Sequence, residues 1–348
     1  MIKRTLHFGN PAYLSKRNEQ LLIELPDAPK LGEKDNKRSV PIEDIGVVIL
    51  DNQQITITQA ALAALLQNNA AIITCNDTHH PVGLFLPLDG HDVQSERFRY
   101  QTDATEPLKK QLWQQTVTAK ILNQAAVLNE RGIEIDSLLH WAKNVRSGDP
   151  DNYEGRAAAY YWRYLFGAET NFFRRREGEP PNNLLNYGYA ILRAMVARSL
   201  VGSGLLPTLG IHHRNKYNAY CLADDVMEPY RPYVDKLVCE IVDEGESRTF
   251  GIESLTTELK ARLLGIATKD VHIEKETNPL MVGLQRTTAS LAKCYELKAR
   301  KILYPVMRNF DGKRAVKYKA VEDDTMNMAA EEDVPYHKTD DDGRKLPF

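Results

Sequence analysis

The sequence changes character at residues 106–130, which read EPLKKQLWQQTVTAKILNQAAVLNE. Apolar residues recur in this stretch at spacings of three and four, which is typical of a helix with one buried face. Further segments with the same spacing follow at 134–146, 151–166, 183–202, 224–243, 253–264 and 278–301. We therefore predict an all-α domain over residues 106–305.

The residues before this stretch have a different pattern. Short apolar runs separated by turn signals predict strands there, at 4–8, 12–15, 20–25, 45–50, 71–74 and 82–87. One helix is expected near residues 58–68, where Thr58 is a suitable N-cap. The predicted fold class is therefore α+β, with a small β-rich domain over residues 1–92, a linker over 93–105 and the larger helical domain after it.

Composition narrows the class of protein. The 348 residues are 43% hydrophobic and 26% charged, which is ordinary for a globular chain. The sequence contains no uncharged apolar run of about 18 residues and no apolar core of a signal peptide near its start, so we expect a cytoplasmic protein with no membrane partner. No phosphate-cradling glycine loop, nucleophile elbow or dinucleotide fingerprint is present, which disfavours a small-molecule enzyme.

Charge is unevenly distributed near the C-terminus. The net charge is −2, but residues 281–320 hold ten basic and two acidic residues, whereas residues 321–348 hold nine acidic and three basic residues. The basic run suits contact with a polyanion. The charged segment 306–348 has few aromatic residues, and we predict that it is a flexible tail.

The first candidate for chemistry is Glu154, in the segment DNYEGRAAAYYW that begins at Asp151. The spacing of Asp151 and Glu154 is typical of a capping box, in which the Glu side chain stabilises the start of the helix. The alternative hypothesis is that Glu154 is a metal-binding or acid–base carboxylate. This segment alone leaves both interpretations open.

The second candidate is the pair His212 and His213, followed by LADDVMEP with Asp224, Asp225 and Glu228. Helical spacing places Glu228 on the same face as either aspartate, where like charges repel unless a cation lies between them. The alternative is that Asp224 caps a helix and the histidines lie in a solvated loop. Oxygen ligands with one imidazole suit Mg²⁺ or Mn²⁺ better than zinc.

A third feature is the basic segment FFRRR, which contains Arg174, Arg175 and Arg176. Bases can stack on the aromatic rings while the guanidinium groups contact phosphates. The alternative is a solvated basic loop without a ligand.

These motifs together resemble a known family. The run EGRAA at Glu154, the segment PNNLLNYGYAIL at 181–192, the GIHH that ends at His213 and the DVMEPYRP at 225–232 are similar to the CRISPR spacer-acquisition integrases, the universal CRISPR-associated endonucleases. The forms HHRN and ADD resemble the type II subfamily. The similarity extends over residues 1–305.

The resemblance implies a fold, a site and a reaction. It implies a sandwich-like N-terminal β domain that forms a homodimer, and a helical domain in which Glu154, His213 and Glu228 bind Mg²⁺ or Mn²⁺. Asp225 matches a further acidic position of the family. Arg174, Arg175, Arg176 and Arg214 are the expected DNA-binding residues, while the roles of His212 and Asp224 stay open.

The implied reaction is DNA integration. A short foreign duplex, the prespacer, would be inserted into the CRISPR repeat when its 3′-hydroxyl attacks a phosphodiester, a transesterification without a covalent protein intermediate. The implied partners are double-stranded DNA, a small second adaptation subunit that completes a heterohexamer, and the type II effector nuclease. The competing hypotheses are a metal-dependent nuclease that uses water, and a non-catalytic DNA-binding scaffold.

Overall fold

The computed structural model describes residues 3–26, 36–77, 79, 81–170, 172–175, 178–248 and 251–307. Strands dominate the chain up to residue 85, and helices dominate it from residue 94 onward. The α+β fold class, a β-rich N-terminal region followed by a larger, mostly helical region, is therefore confirmed. The predicted tail lies outside the described residues from residue 308 onward.

The N-terminal strands form two four-stranded sheets. The strands are β1 (Arg4–Phe8), β2 (Ala12–Arg17), β3 (Gln20–Glu24), β4 (Lys37–Pro41), β5 (Ile45–Leu50), β6 (Ile55–Ile57), β7 (Ala71–Cys75) and β8 (Pro81–Phe85). The first sheet has the order β1-β5-β7-β8, and the second has the order β4-β3-β2-β6. Helix α1 (Gln59–Gln67) follows Thr58, whose Oγ1 accepts the N–H of Ala61 at 3.3 Å, in agreement with the predicted N-cap.

The first sheet is the middle layer of the molecule. Val47 and Ile49 of β5 pack against the helical region, and Val48 packs against the second sheet. Successive residues of a strand point to opposite faces, and here both faces are covered. This explains why β5 is a continuous apolar run without polar alternation.

The helical region contains one further pair of strands. Its elements are α2 (Gln94–Thr102), α3 (Glu106–Glu130), α4 (Asp136–Asn144), α5 (Tyr153–Leu165), α6 (Asn182–Gly202), α7 (Cys221–Met227), α8 (Arg231–Arg248), α9 (Thr257–Leu264), β9 (Asp270–Ile273), β10 (Glu276–Pro279) and α10 (Leu280–Tyr295). Helix α3 packs against α4, α5 and α8, and helix α6 packs against α7 to α10. None of the helices in the described ranges combines the length and apolar character needed to cross a bilayer.

Three local features differ from the prediction. Helix α2 lies within the predicted linker, and the β9–β10 hairpin interrupts a region expected to be helical throughout. The expected helix 224–243 is divided into α7 and α8 by a 3₁₀ turn over Glu228–Tyr230. Pro229 lies in this turn, and its ring nitrogen has no hydrogen to donate to a regular helical bond.

A buried ion cluster joins the first sheet to helix α9. Asp51, directly after β5, is buried and accepts hydrogen bonds from Lys260 Nζ at 2.8 Å, His7 Nε2 at 3.0 Å and His79 Nδ1 at 2.9 Å. We call these four residues the seam cluster. It fixes the first sheet against α9, which packs in turn against α6 and α8.

Candidate active site

Helix α5 presents Glu154, and its start differs from the capping-box interpretation. Asn152 is the N-cap, not Asp151, and Asp149 Oδ2 accepts the backbone N–H of Glu154 at 2.9 Å. The Glu154 carboxylate is therefore not used as the reciprocal cap. Its Oε1 lies 2.9 Å from the Nζ of Lys120 on helix α3.

The same lysine contacts Glu228, which is far from Glu154 in sequence. Lys120 Nζ lies 2.7 Å from Glu228 Oε2, and Arg231 Nε lies 3.1 Å from the other oxygen of Glu228. Lys120 and Glu228 are both buried. Because α3 packs against both α5 and the 3₁₀ turn, the structure brings the two glutamates into contact with one ammonium group.

His213 is held by Asp225, which is completely buried. The Nδ1 atom of His213 hydrogen-bonds to Asp225 Oδ1, and the backbone N–H of His212 donates to Asp225 Oδ2 at 2.9 Å. Gly210 makes this approach possible, because a Cβ at this position would lie 2.3 Å from the His213 carbonyl oxygen. Asp225 therefore orients the imidazole and leaves its Nε2 as the nitrogen available to a ligand.

The charges of the site act strongly on His213. Burial opposes the imidazolium, but the hydrogen bond and charge of Asp225, together with the charges of Glu228 and Glu154, raise the pKa of His213 to about 9. The negative charges of three carboxylates thus stabilise the protonated form of His213. A metal ion that bound this histidine would have to displace its proton. We call Lys120, Glu154, Glu228, His213 and Asp225 the acidic centre.

The structure also assigns contacts to the two residues whose roles were open. His212 stacks on the buried Trp113 with ring centroids 4.3 Å apart, and Trp113 meets His213 edge-on at 5.5 Å. Asp224 accepts from Arg193 Nε at 2.6 Å and from Asn218 at 2.7 Å. Asp224 therefore neither caps helix α7, which begins at Cys221, nor contacts the acidic centre through these bonds.

The donor set of the acidic centre fits a divalent ion, although no ready metal cluster is formed. Within the part of the chain that the structure describes, no three His, Cys, Asp or Glu side chains form a metal-binding group. Lys120 contacts an oxygen of each glutamate instead. Two carboxylates and an imidazole are suitable ligands for Mg²⁺ or Mn²⁺, and the bridging ammonium marks a position where positive charge is stabilised.

The four predicted DNA-binding arginines are in different environments. Arg174 donates to the side-chain oxygens of Asn182 at 2.9 Å and Asn186 at 2.8 Å, so its guanidinium stabilises the start of α6. Arg175 is exposed, with its guanidinium 5.6 Å from the ring of Phe173. Arg214 is exposed and pairs with a surface glutamate, Glu106, while residue 176 lies outside the described ranges.

Sequence analysis missed Lys120, although a signal was present. Lys120 lies on the apolar face of α3, between the buried residues Val117 and Ile121 and one turn from each of Thr116 and Gln124. A lysine on the buried face of a helix needs a charged partner. That partner could not be identified from the helix alone, because both carboxylates come from other elements.

Comparison with known proteins identifies the family. The family model described as "CRISPR associated protein Cas1" matches residues 7–264. The CRISPR-associated endonuclease Cas1 of Neisseria meningitidis serogroup C is 37% identical over 292 residues, which is 83% of this chain and 91% of that protein. A second relative, from Pyrobaculum aerophilum, is 28% identical over 75% of this chain and 90% of its own length.

Solved structures show the same fold. A casposase bound to integration product superimposes with a TM-score of 0.72 at 20% identity, covering 87% of this chain and 92% of the casposase chain. A CAS1 protein from Thermotoga maritima gives a TM-score of 0.65 at 17% identity, covering 84% of this chain and 97% of that chain. The arrangement of strands followed by helices is thus shared with both.

Proposed function

The chain belongs to the CRISPR-associated Cas1 family of endonucleases, and we propose that it inserts short DNA duplexes into the CRISPR array. Each insertion is a transesterification in which a DNA 3′-hydroxyl attacks a phosphodiester of the repeat. A new phosphodiester forms as the original P–O3′ bond breaks, and the 3′-oxygen of the repeat strand leaves and takes up a proton. A casposase of the same fold has been solved bound to integration product, which supports this kind of reaction for the present chain.

In this proposal Glu154, His213 and Glu228 hold one Mg²⁺ or Mn²⁺ ion. Such an ion, when bound, lowers the pKa of an attacking hydroxyl and offsets the negative charge that develops on a phosphoryl group. The observation that carries the proposal is the convergence of Glu154 and Glu228 on one buried ammonium, with His213 close enough for its pKa to respond to both charges.

The surrounding residues orient these three side chains. Asp225 accepts a hydrogen bond from the Nδ1–H of His213 and so directs Nε2 toward a ligand. Arg231 contacts the second oxygen of Glu228 and restricts rotation of its carboxylate. Trp113 packs against the edge of the His213 ring and shields one side of it from water.

For the DNA we propose two exposed arginines as phosphate contacts. Arg175 and Arg214 have exposed side chains that suit contacts with phosphates. Arg174 acts indirectly, because its bonds to Asn182 and Asn186 shape the loop that presents Arg175.

We further propose the assembly that the family resemblance implies. Residues 1–92 would mediate a homodimer and residues 106–305 would be the catalytic domain, joined by residues 93–105. In a structure described as a Cas6-RT-Cas1–Cas2 complex, a region that makes up 36% of one chain superimposes on 89% of the present chain, with a TM-score of 0.67 at 20% identity. It supports a small Cas2 subunit as partner, with a heterohexamer as the complete assembly. In this proposal the chain acts in the cytoplasm, and the type II effector nuclease is a further partner.

A joining assay tests the function directly. A duplex with 3′-hydroxyl ends is mixed with a supercoiled plasmid that carries the repeat, the partner subunit and Mg²⁺ or Mn²⁺. We expect covalently joined product with the natural chain, and none with Glu154→Ala or His213→Ala. His140→Ala, a change at an exposed histidine, is the control and should join normally.

The two competing hypotheses predict different results, one in the joining assay and one in cells. Cleaved plasmid without joined duplex indicates a nuclease that uses water as the nucleophile. Unchanged cellular spacer acquisition in both variants indicates a DNA-binding scaffold without chemistry. Either result would overturn the integrase proposal.

A further inference from the structure

Lys120 lies where a metal ion would have to bind. Its ammonium contacts Glu154 Oε1 at 2.9 Å and Glu228 Oε2 at 2.7 Å. The contact with Glu154 is a charge-assisted hydrogen bond, and the contact with Glu228 is a close ion pair. The atoms in contact with the lysine are oxygens of the same two carboxylates that the proposed function assigns to the divalent ion.

Because Lys120 and Glu228 are both buried, each charge needs the other to offset the loss of hydration. Only 6% of the Lys120 side chain and 2% of the Glu228 side chain are exposed. A buried ammonium without a counter-charge is strongly unfavourable, and so is a buried carboxylate without a cation. A cation in contact with both glutamates, whether an ammonium or a metal ion, therefore stabilises the ionised site.

An ammonium and a divalent ion cannot share this space. Both require the same oxygens, and two positive charges a few ångströms apart repel each other. Lysine is suited to leave, because its charge is carried on a flexible four-carbon stem. The Glu154 side of the site is the one nearer to solvent, since this side chain is 21% exposed.

We propose that Lys120 is a built-in counter-ion of the metal-free site, which holds Glu154 and Glu228 in place and is displaced when the divalent ion binds. This inference rests on the proposed function, because it requires that the two glutamates are metal ligands. Lys120 is thus a positioning residue that also lowers metal affinity, since binding of the ion must break both of its ion pairs.

Metal binding to two lysine variants provides the first test. Mn²⁺ affinity is measured by titration calorimetry on the full chain, for the natural protein and for Lys120→Met and Lys120→Gln. We expect Kd to fall by about tenfold or more, equivalent to about 1.4 kcal/mol per tenfold, because the competing charge is gone. The melting temperature of each variant should be lower without metal and should rise more on adding Mn²⁺ than that of the natural protein.

Lys260→Met is the matched control. Lys260 is also a buried lysine in an ion pair, with Asp51, but it lies in the seam cluster. This variant should lose stability without any change in Mn²⁺ affinity. An equal or weaker Mn²⁺ affinity in both Lys120 variants would overturn the inference, while absence of Mn²⁺ binding in the natural protein would overturn the metal centre of the proposed function and the inference with it.

A measurement on the natural protein decides the question even if the variants do not fold. Lysines are acetylated for a short time with and without saturating Mg²⁺, and the modified sites are quantified by mass spectrometry. Displacement predicts a severalfold rise in acetylation of Lys120 with Mg²⁺, and no change at Lys260. Unchanged or reduced acetylation of Lys120 would contradict the displacement.

Discussion

The acidic centre and the seam cluster each contain a buried lysine in contact with carboxylates, but they differ in the ratio of donors to acceptors. In the seam cluster a single carboxylate, Asp51, receives hydrogen bonds from three side chains, Lys260, His7 and His79. In the acidic centre a single ammonium, that of Lys120, is divided between two carboxylates. A carboxylate that receives three hydrogen bonds has its acceptor oxygens satisfied and serves a structural role. Two carboxylates that share one ammonium carry excess negative charge and can bind another cation.

The charges of the two clusters support the same distinction. Asp51 and Lys260 neutralise each other on opposite sides of the seam. In the acidic centre, positive charge is supplied by Lys120 and by a proton on His213, both of which can be exchanged. Burial of ionic groups therefore has two uses in this protein: one cluster joins the sheet to the helices, and the other keeps a ligand set together.

The largest effect is expected at the acidic centre. Glu228→Ala should reduce DNA joining by about a hundredfold or more, because even residues that only support metal ligands contribute 10–100-fold. DNA affinity, measured by fluorescence anisotropy, should change by less than about twofold. The control is Glu276→Ala, which removes a glutamate with a largely exposed side chain from its pair with Arg286. Full joining activity in Glu228→Ala would remove this residue from the site.

The seam cluster should respond in stability instead of activity. Lys260→Met should lower the free energy of unfolding by about 3–5 kcal/mol, because it leaves the buried Asp51 without its cation. The double variant Asp51→Asn with Lys260→Met should recover part of this loss. Lys269→Met, which breaks a surface pair with Glu240, should cost less than about 1 kcal/mol. A loss of similar size in Lys260→Met and Lys269→Met, measured by chemical denaturation, would mean that the seam cluster contributes no more stability than a surface ion pair.

Much of the fold could be predicted from local sequence. Helix α3 has the predicted bounds, and Thr58 caps α1 as expected, because both depend on periodicity and on one capping side chain. The start of α5 was not predictable in the same way. Asp149, Asp151 and Asn152 are all competent caps within four residues, and two of them share the work: Asn152 accepts the N–H of Gly155, while Asp149 accepts the N–H groups of Tyr153 and Glu154.

The site was predictable only in part, for a related reason. The motifs around Glu154, His213 and Glu228 were visible in the sequence, but Lys120 was not, because a lysine in a long amphipathic helix is ordinary until its surroundings are known. The β9–β10 hairpin was also missed, although Val271 and Ile273 alternate with polar residues and are buried. Strands of four residues are too short for periodicity to separate them from the helices beside them.

An intermediate effect is expected when the pH is lowered. Burial lowers the pKa of His7, despite the opposing hydrogen bond and charge of Asp51. The unfolded chain then binds this proton more readily than the folded chain, so the stability contributed by neutral His7 is present above about pH 6.5 and is lost as the pH falls through the lower folded value. The melting temperature should therefore decrease on acidification below this pH.

The variant His7→Gln should flatten this dependence, because glutamine does not titrate. His140→Gln, at an exposed histidine, should keep the slope of the natural protein. The pKa of Asp51 is also lowered: desolvation raises it, but the hydrogen bonds from Lys260, His7 and His79 outweigh that effect. A further loss of stability is expected at more acid pH, where Asp51 becomes protonated, and it should be absent in Asp51→Asn. An unchanged slope in His7→Gln would separate His7 from the acid response.

The smallest effect is expected at the arginines. Here too a charged group that is already hydrogen-bonded within the protein differs from one that is free to meet a ligand. Arg175→Ala should weaken DNA binding a few-fold and reduce the slope of log Kd against log salt by about 1, because one phosphate contact is lost. Arg174→Ala should lower the melting temperature and leave the salt slope unchanged, since its guanidinium is bonded to Asn182 and Asn186. The reverse result, with the salt slope altered only in Arg174→Ala, would show that the partly buried Arg174 guanidinium contacts DNA although it is hydrogen-bonded to Asn182 and Asn186.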